Sequence, residues 1–151
     1  LESRLFFTGE YDHKIDSQGR VAIPAKFRTA FKTGIVLAEG IENCIDAYTT
    51  DAWEAVVDEI TSRPSTNANR MLARAMFGRA FSADLDSQGR IVIPVSLREY
   101  AAISDKAVVI GVGRNLELWN QDQWQQVITD ARTQAADNAE RLAEMPTRQN
   151  G

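Results

Sequence analysis

A thirteen-residue pattern occurs twice in this chain, and any fold must make room for both copies. Asp16-Ser17-Gln18-Gly19-Arg20-Val21-Ala22-Ile23-Pro24-Ala25-Lys26-Phe27-Arg28 returns seventy positions later as Asp86-Ser87-Gln88-Gly89-Arg90-Ile91-Val92-Ile93-Pro94-Val95-Ser96-Leu97-Arg98. The turn, the apolar residues around Ile23 and Ile93, the proline and the final arginine are all kept. A repeat of this kind sets the architecture before any single element is considered.

Each copy can be read locally. Gly19 or Gly89 supplies the backbone freedom of a tight turn, which is expected to close a hairpin between the strand before it and the strand after it. Val21 to Ile23 and Ile91 to Ile93 are apolar and mostly β-branched, as in short buried strands. Pro24 or Pro94 stops that strand and suits the first position of a helix, where a missing N–H is harmless. The short helix that follows has an apolar face of Phe27 with Phe31, or Leu97 with Ala101.

The correspondence extends beyond the pattern. Phe6 to Lys14 and Phe81 to Leu85 lead into the two turns as strands. Ile35 to Glu39 with Cys44 to Tyr48 forms a further strand pair around Gly40 and Asn43; Ala107 to Val112 with Leu116 to Trp119 does the same around Gly113 and Asn115. A helix then starts in each half, capped by Thr49, Thr50 or Asp51 in the first and by Asn120, with Gln123 at capping-box spacing, in the second. Trp53 and Trp124 hold equivalent places in these helices and read as core anchors. The expected organisation is a first repeat with its helix over 6–62, a connecting helix in 63–79, a second repeat over 80–120, an amphipathic helix over 121–145 and a frayed tail over 146–151. The connecting helix has Met71, Leu72, Ala75 and Met76 on its apolar side and Arg70 and Arg74 on its polar side. Leu1 to Arg4 read as an expression scar or an incomplete start and are left out of the expected fold. A unit of about 50 residues buries too little to stand alone, so the two are expected to share one core in an α+β domain built around a pseudo-two-fold axis.

Composition narrows the function. The chain has 151 residues, a net charge of −4 and no stretch near the ~20 apolar residues of a membrane span, so a cytoplasmic protein is expected. The single cysteine, Cys44, is expected to pack in the core without a disulfide. His13 is the only histidine and has no partner at ligand spacing, so neither a metal nor a cofactor is expected. Gly111-Val112-Gly113 lacks the third glycine of a dinucleotide site, and no residue cluster nominates a catalytic centre. An acidic chain is a poor coat for nucleic acid in general, but its basic charge is unevenly spread. From Lys14 to Lys32 five bases (Lys14, Arg20, Lys26, Arg28, Lys32) face one acid, Asp16; from Asp86 to Lys106 three bases (Arg90, Arg98, Lys106) face three acids (Asp86, Glu99, Asp105).

Asp-x-x-x-Arg is a common spacing. Asp137 and Arg141 share it inside the C-terminal amphipathic segment, where it reads as an i, i+4 ion pair. Asp16/Arg20 and Asp86/Arg90 differ because the intervening residues include a turn glycine and the whole context recurs. Two readings remain open. The aspartate caps the turn and the arginine merely braces it, or the arginine presents its planar donor fork to phosphate or to the guanine edge in a major groove. On the second reading Lys14, Lys26, Arg28 and Lys32 are phosphate contacts that position the domain.

A turn of the form Asp-x-x-Gly-Arg, followed by Ile-Pro and a short helix ending in arginine, resembles the swapped-hairpin bacterial regulators typified by AbrB and the antitoxin MazE. Two copies in one chain, each followed by a strand pair and a helix with tryptophan, resemble the MraZ family of transcriptional regulators. That resemblance implies two AbrB-like ββαββ repeats intertwined as one swapped-hairpin domain. It implies binding to short G-rich direct repeats of double-stranded DNA upstream of the division and cell-wall gene cluster, a place on the nucleoid, and assembly of the chain into a ring-shaped homo-oligomer. The family's DNA-binding signature falls on Asp16 with Arg20 and on Asp86 with Arg90. Competing readings are a dimeric AbrB- or MazE-like regulator, an oligomeric scaffold that binds no DNA, and an enzyme with a cleft between the halves.

Overall fold

The computed structural model describes residues 6–145, so Leu1 to Arg4 and the expected tail over 146–151 lie outside the described residues. Strand β1 (Glu10–Lys14) enters the first turn and β2 (Arg20–Ala22) leaves it; β5 (Phe81–Ala83) and β6 (Arg90–Val92) do the same at the second. The expected hairpins are not formed. β1 pairs with β7 (Lys106–Gly111), β5 with β3 (Ile35–Glu39), and β2 with β6 in a separate two-stranded ribbon, all antiparallel. Each turn therefore passes the chain from one sheet to another, closed by the Gly19 N–H to the Asp16 carbonyl and by its counterpart from Gly89 to Asp86, both 3.0 Å. Local turn chemistry was legible in the sequence; the choice of strand partner is a long-range matter of burial.

The pairings interleave the repeats. β4 (Ile45–Thr49) pairs with β3 and β8 (Leu116–Trp119) with β7, giving the six-stranded order β1-β7-β8-β4-β3-β5. The order is symmetric about the β8–β4 seam, with β1 and β5 as the edges. Each edge strand comes from one repeat and lies against a strand of the other. The same pseudo-axis passes through the ribbon, where Val21 faces Ile91. The core lies between ribbon and sheet and draws on both copies: Val21, Ile23, Phe27, Phe31, Leu37 and Ile45 from the first, Ile91, Ile93, Leu97, Val109, Leu116 and Leu118 from the second, each at most 2% exposed. The two halves thus share one core, as their size required.

Pro24 and Pro94 stand at the N-cap, one residue before the helical position expected, with φ near −50° and extended ψ. After Pro24 the chain forms a 3-10 helix (Ala25–Phe31), and after Pro94 a short α-helix. α1 (Thr50–Thr61) is capped by Thr49, whose Oγ accepts from Ala52 N at 3.1 Å. α2 (Asn67–Phe77) is capped by Thr66. α2 turns Ala73, Met76 and Phe77 inward and leaves Met71, Leu72 and Ala75 exposed, which corrects the apolar face expected for it. Trp53 is half-buried in an aromatic group with Tyr48 and Phe77 rather than a deep core anchor. The short helix after Pro94 is α3 (Val95–Tyr100).

From Asp122 onward the chain forms a second unit. The single helix expected over 121–145 is two, α4 (Gln121–Thr133) and α5 (Ala135–Glu144), broken at Gln134. The Thr133 hydroxyl donates back to the Thr129 carbonyl at 2.9 Å, a bond that competes with the helical ladder. Trp124 is the buried residue of α4, and α5 is exposed throughout. Asp137 and Arg141 do not pair; at an exposed site such a pair is worth only about 0.3–0.5 kcal/mol.

Candidate nucleic-acid interface

The ribbon carries the repeated Asp-Arg pairs. Strand alternation sends Val21 and Ile91 into the core, so Arg20 and Ala22 on β2, and Arg90 and Val92 on β6, share the opposite face. Their register places Arg20 across from Val92 and Ala22 across from Arg90, so the two arginines stand diagonally about the pseudo-axis.

Each aspartate is fully engaged by its own turn. Asp16 Oδ1 accepts from the backbone N–H of Gln18 and of Arg20, both 2.9 Å, and Oδ2 accepts from Arg20 Nε at 2.6 Å. Asp86 repeats the pattern with Gln88, Arg90 and Arg90 Nε, all 2.9 Å. The backbone bond from the arginine N–H, above all, holds both carboxyls below the usual aspartate range. The capping reading of the aspartates is therefore correct, and it does not exclude a role for the arginines. Each guanidinium is oriented through its Nε. Arg90 Nη1 also lies 4.0 Å from Asp16 Oδ2, a contact between repeats.

The turns are locked to each other. Ile23 N donates to the Gly89 carbonyl and Ile93 N to the Gly19 carbonyl, both 2.9 Å. Gly19 and Gly89 have φ of +78° and +75°, in the region that disfavours a side chain. A Cβ at Gly19 would stand 3.1 Å from the Arg98 guanidinium carbon, and one at Gly89 would overlap the Arg28 side chain. Arg28 Nε in turn donates to the Ile23 carbonyl at 3.0 Å, and Arg98 Nε to the Ile93 carbonyl at 3.1 Å. Arg28 and Arg98 are thus struts, each reaching from one repeat under the turn of the other. Arg98 was not singled out beforehand, although its place at the end of the repeated pattern was the available signal.

Of the remaining residues nominated from the sequence, Lys14 is exposed at the end of β1. Lys26 holds its ammonium 5.0 Å from the centre of the Tyr11 ring, a cation–π contact. Lys32 is exposed after the 3-10 helix. Val92, 53% exposed, stands across the ribbon from Arg20, Val95, 58% exposed, opens α3, and neither was foreseen; such groups suit contact with thymine methyls. Away from the ribbon, Cys44, Asp46 and Glu117 converge within 4.8 Å on the β4–β8 seam, the one such group with metal-ligating atoms among the described residues. Burial pushes the Cys44 thiol up, which keeps it protonated and a poor ligand. The desolvated His13 ring has its pKa lowered, with Asp12 opposing and Arg28 adding to the shift.

The sequence has known relatives. The family model of the MraZ protein matches the chain twice, over residues 6–75 and 76–145. The chain belongs to the MraZ family. MraZ relatives named "Transcriptional regulator MraZ" include one from Roseiflexus castenholzii, 40% identical over 92% of this chain and 98% of its own length. One from Alkaliphilus oremlandii is 39% identical with the same coverage. One from Herpetosiphon aurantiacus is 42% identical over 91% of this chain and 94% of its own. MraZ is a family of regulators, not of enzymes. No helix among the described residues is long and apolar enough to cross a membrane.

Proposed function

We propose that this chain is a sequence-specific DNA-binding transcription regulator that reads short G-rich direct repeats at the promoter of the division and cell-wall gene cluster. The observation that carries this reading is the outward face of the β2–β6 ribbon. There, Arg20 and Arg90 are gripped by Nε, and among the described residues their terminal amines make no hydrogen bond, Arg90 Nη1 lying 4.0 Å from Asp16 Oδ2. A two-stranded β-ribbon fits the width of a major groove, and an arginine fork matches O6 and N7 of guanine. Lys14, Lys26 and Arg28 supply phosphate contacts, and the MraZ relatives' name fits this activity. A nucleoid location follows from it. Copies of the chain assemble into a ring, whose several ribbons gain avidity on tandem repeats because later contacts become intramolecular.

The test is binding to a duplex of G-rich tandem repeats and to its scrambled form across a salt series, for wild type and for Arg20→Ala/Arg90→Ala. The expected result is preference for the repeats in wild type and its loss in the variant, with particle mass unchanged. Equal binding by the two proteins would reduce the ribbon to scaffold. A dimer mass in place of a ring would favour the AbrB-like alternative.

A further inference from the structure

Resting on the reading that the ribbon meets DNA, we propose that Lys14 and Lys106 form a two-lysine clip for a backbone phosphate beside the first turn, and that the second turn lacks one. Lys14 ends β1 and Lys106 begins β7, and the register sets them directly opposite each other. Both are exposed. Residues so placed project from the same face with Cβ atoms about 4.5–5.5 Å apart, and like charges there repel.

No ion pair offsets that repulsion. Among the described residues neither lysine has an ion-pair partner. The Asp12 carboxylate, two residues back on the same face, lies 3.5 Å from the Gln121 amide nitrogen. The Asp105 carboxylate accepts from the Ser104 hydroxyl. A phosphate between two ammonium groups turns the repulsion into two attractions. Lys14 is two residues from Asp16, so their Cα atoms are at most about 7 Å apart. The clip therefore lies beside the Arg20 fork, within a lysine's reach of the strand whose bases that fork would read.

The other turn is built differently. Two residues before Asp86 the chain has Asp84, whose carboxylate lies 3.6 Å from where a Cβ of Gly34 would stand. Lys32 is the base nearest in sequence to Gly34, and Asp84 opposes any phosphate there. Interleaving creates this polarity. Lys106 belongs by sequence to the second copy but stands at the first turn, while Lys32 belongs to the first copy and precedes the strand that β5 pairs with. The DNA-facing surface therefore has one gripping end, which suits a site read in one direction, as direct repeats are.

The experiment uses the full chain and the G-rich repeat duplex over a salt series. Replacing Lys14 and Lys106 together by glutamine is expected to flatten the slope of log K against log salt by about 0.9, for the one phosphate the clip holds. Preference for the repeats over scrambled DNA should persist, since the forks are untouched. The same variant is expected to keep or raise the thermal midpoint, because a repulsion is removed; a purely structural role would lower it. Asp84→Lys is expected to steepen the slope by about 0.9. An unchanged slope in both variants, while Arg20→Ala/Arg90→Ala abolishes the preference, would overturn the clip and leave the ribbon reading intact. If the wild-type chain does not bind the duplex, both readings fall together.

Discussion

At the scale of single residues, the Asp-Arg pairs show how one carboxylate can hold both the backbone of its turn and the arginine beside it. Asp16 and Asp86 each receive two backbone N–H groups and one guanidinium Nε. Replacing both by asparagine keeps an acceptor for the backbone donors but removes the charge that holds Nε. We expect Asp16→Asn/Asp86→Asn to fold with unchanged particle mass and to lose about tenfold or more in preference for G-rich repeats, on the scale of one misdirected bidentate contact. Gel shift on repeat and scrambled duplexes would measure it. Both carboxyls have lowered pKa values in the fold, so what they contribute is present above the ordinary aspartate pKa near 4 and fades as pH falls through their lower folded values. DNA preference should therefore be flat from pH 5 to 8. The turn glycines are less forgiving. Gly89→Ala combines a left-handed backbone with overlap on Arg28 and should cost about 1–3 kcal/mol in chemical denaturation.

At the scale of elements, the β4–β8 seam sets Asp46 opposite Glu117 on the pseudo-axis. Trp119 Nε1 donates to Glu117 at 2.9 Å and the Tyr48 hydroxyl donates to Asp46 at 3.2 Å, but among the described residues no base pairs with either acid. Desolvation first, then Glu117, raises Asp46 to about 6. A carboxyl raised in the fold binds its proton more tightly there than in the unfolded chain. Stability from this seam is therefore greatest below the unfolded pKa near 4 and is lost as pH rises through about 6. Asp46→Asn should raise stability at pH 7.5 by about 1–2 kcal/mol, discounted for the solvent that reaches the pair, and flatten the pH profile between 4 and 6; thermal melts across that range would show it. The elements themselves were largely legible. Turn glycines, β-branched runs and the prolines marked both ribbon strands to within a residue, and Thr49 was among the caps foreseen for α1. Which strand each would pair with was not, because β1 and β5 look locally like hairpin partners of β2 and β6. For the same reason the site was half legible: Arg20 and Arg90 could be named from their repeated context. Lys106 and Arg98 acquire their places only from a register between distant segments.

At the scale of the whole molecule, neither repeat owns a complete sheet or core. Each edge strand lies on the other repeat, and Ile23 and Ile93 bond to the opposite turn. Fragments covering residues 1–79 and 80–151 should each lack cooperative unfolding and regain it when mixed in equal amounts, as circular dichroism melts would reveal. A fragment that melts cooperatively by itself would contradict the interleaved core. The interleaving has a further consequence, concerning inheritance more than stability. In a dimer of two identical chains every substitution appears at both ends of the shared face, so the ends must remain twins. Here a single peptide chain joins the halves through α1 and α2, and each position changes once. Lys14 and Asp84 can differ, Val95 can stand where the other copy has Ala25, and a surface that began with two like ends can acquire a head and a tail.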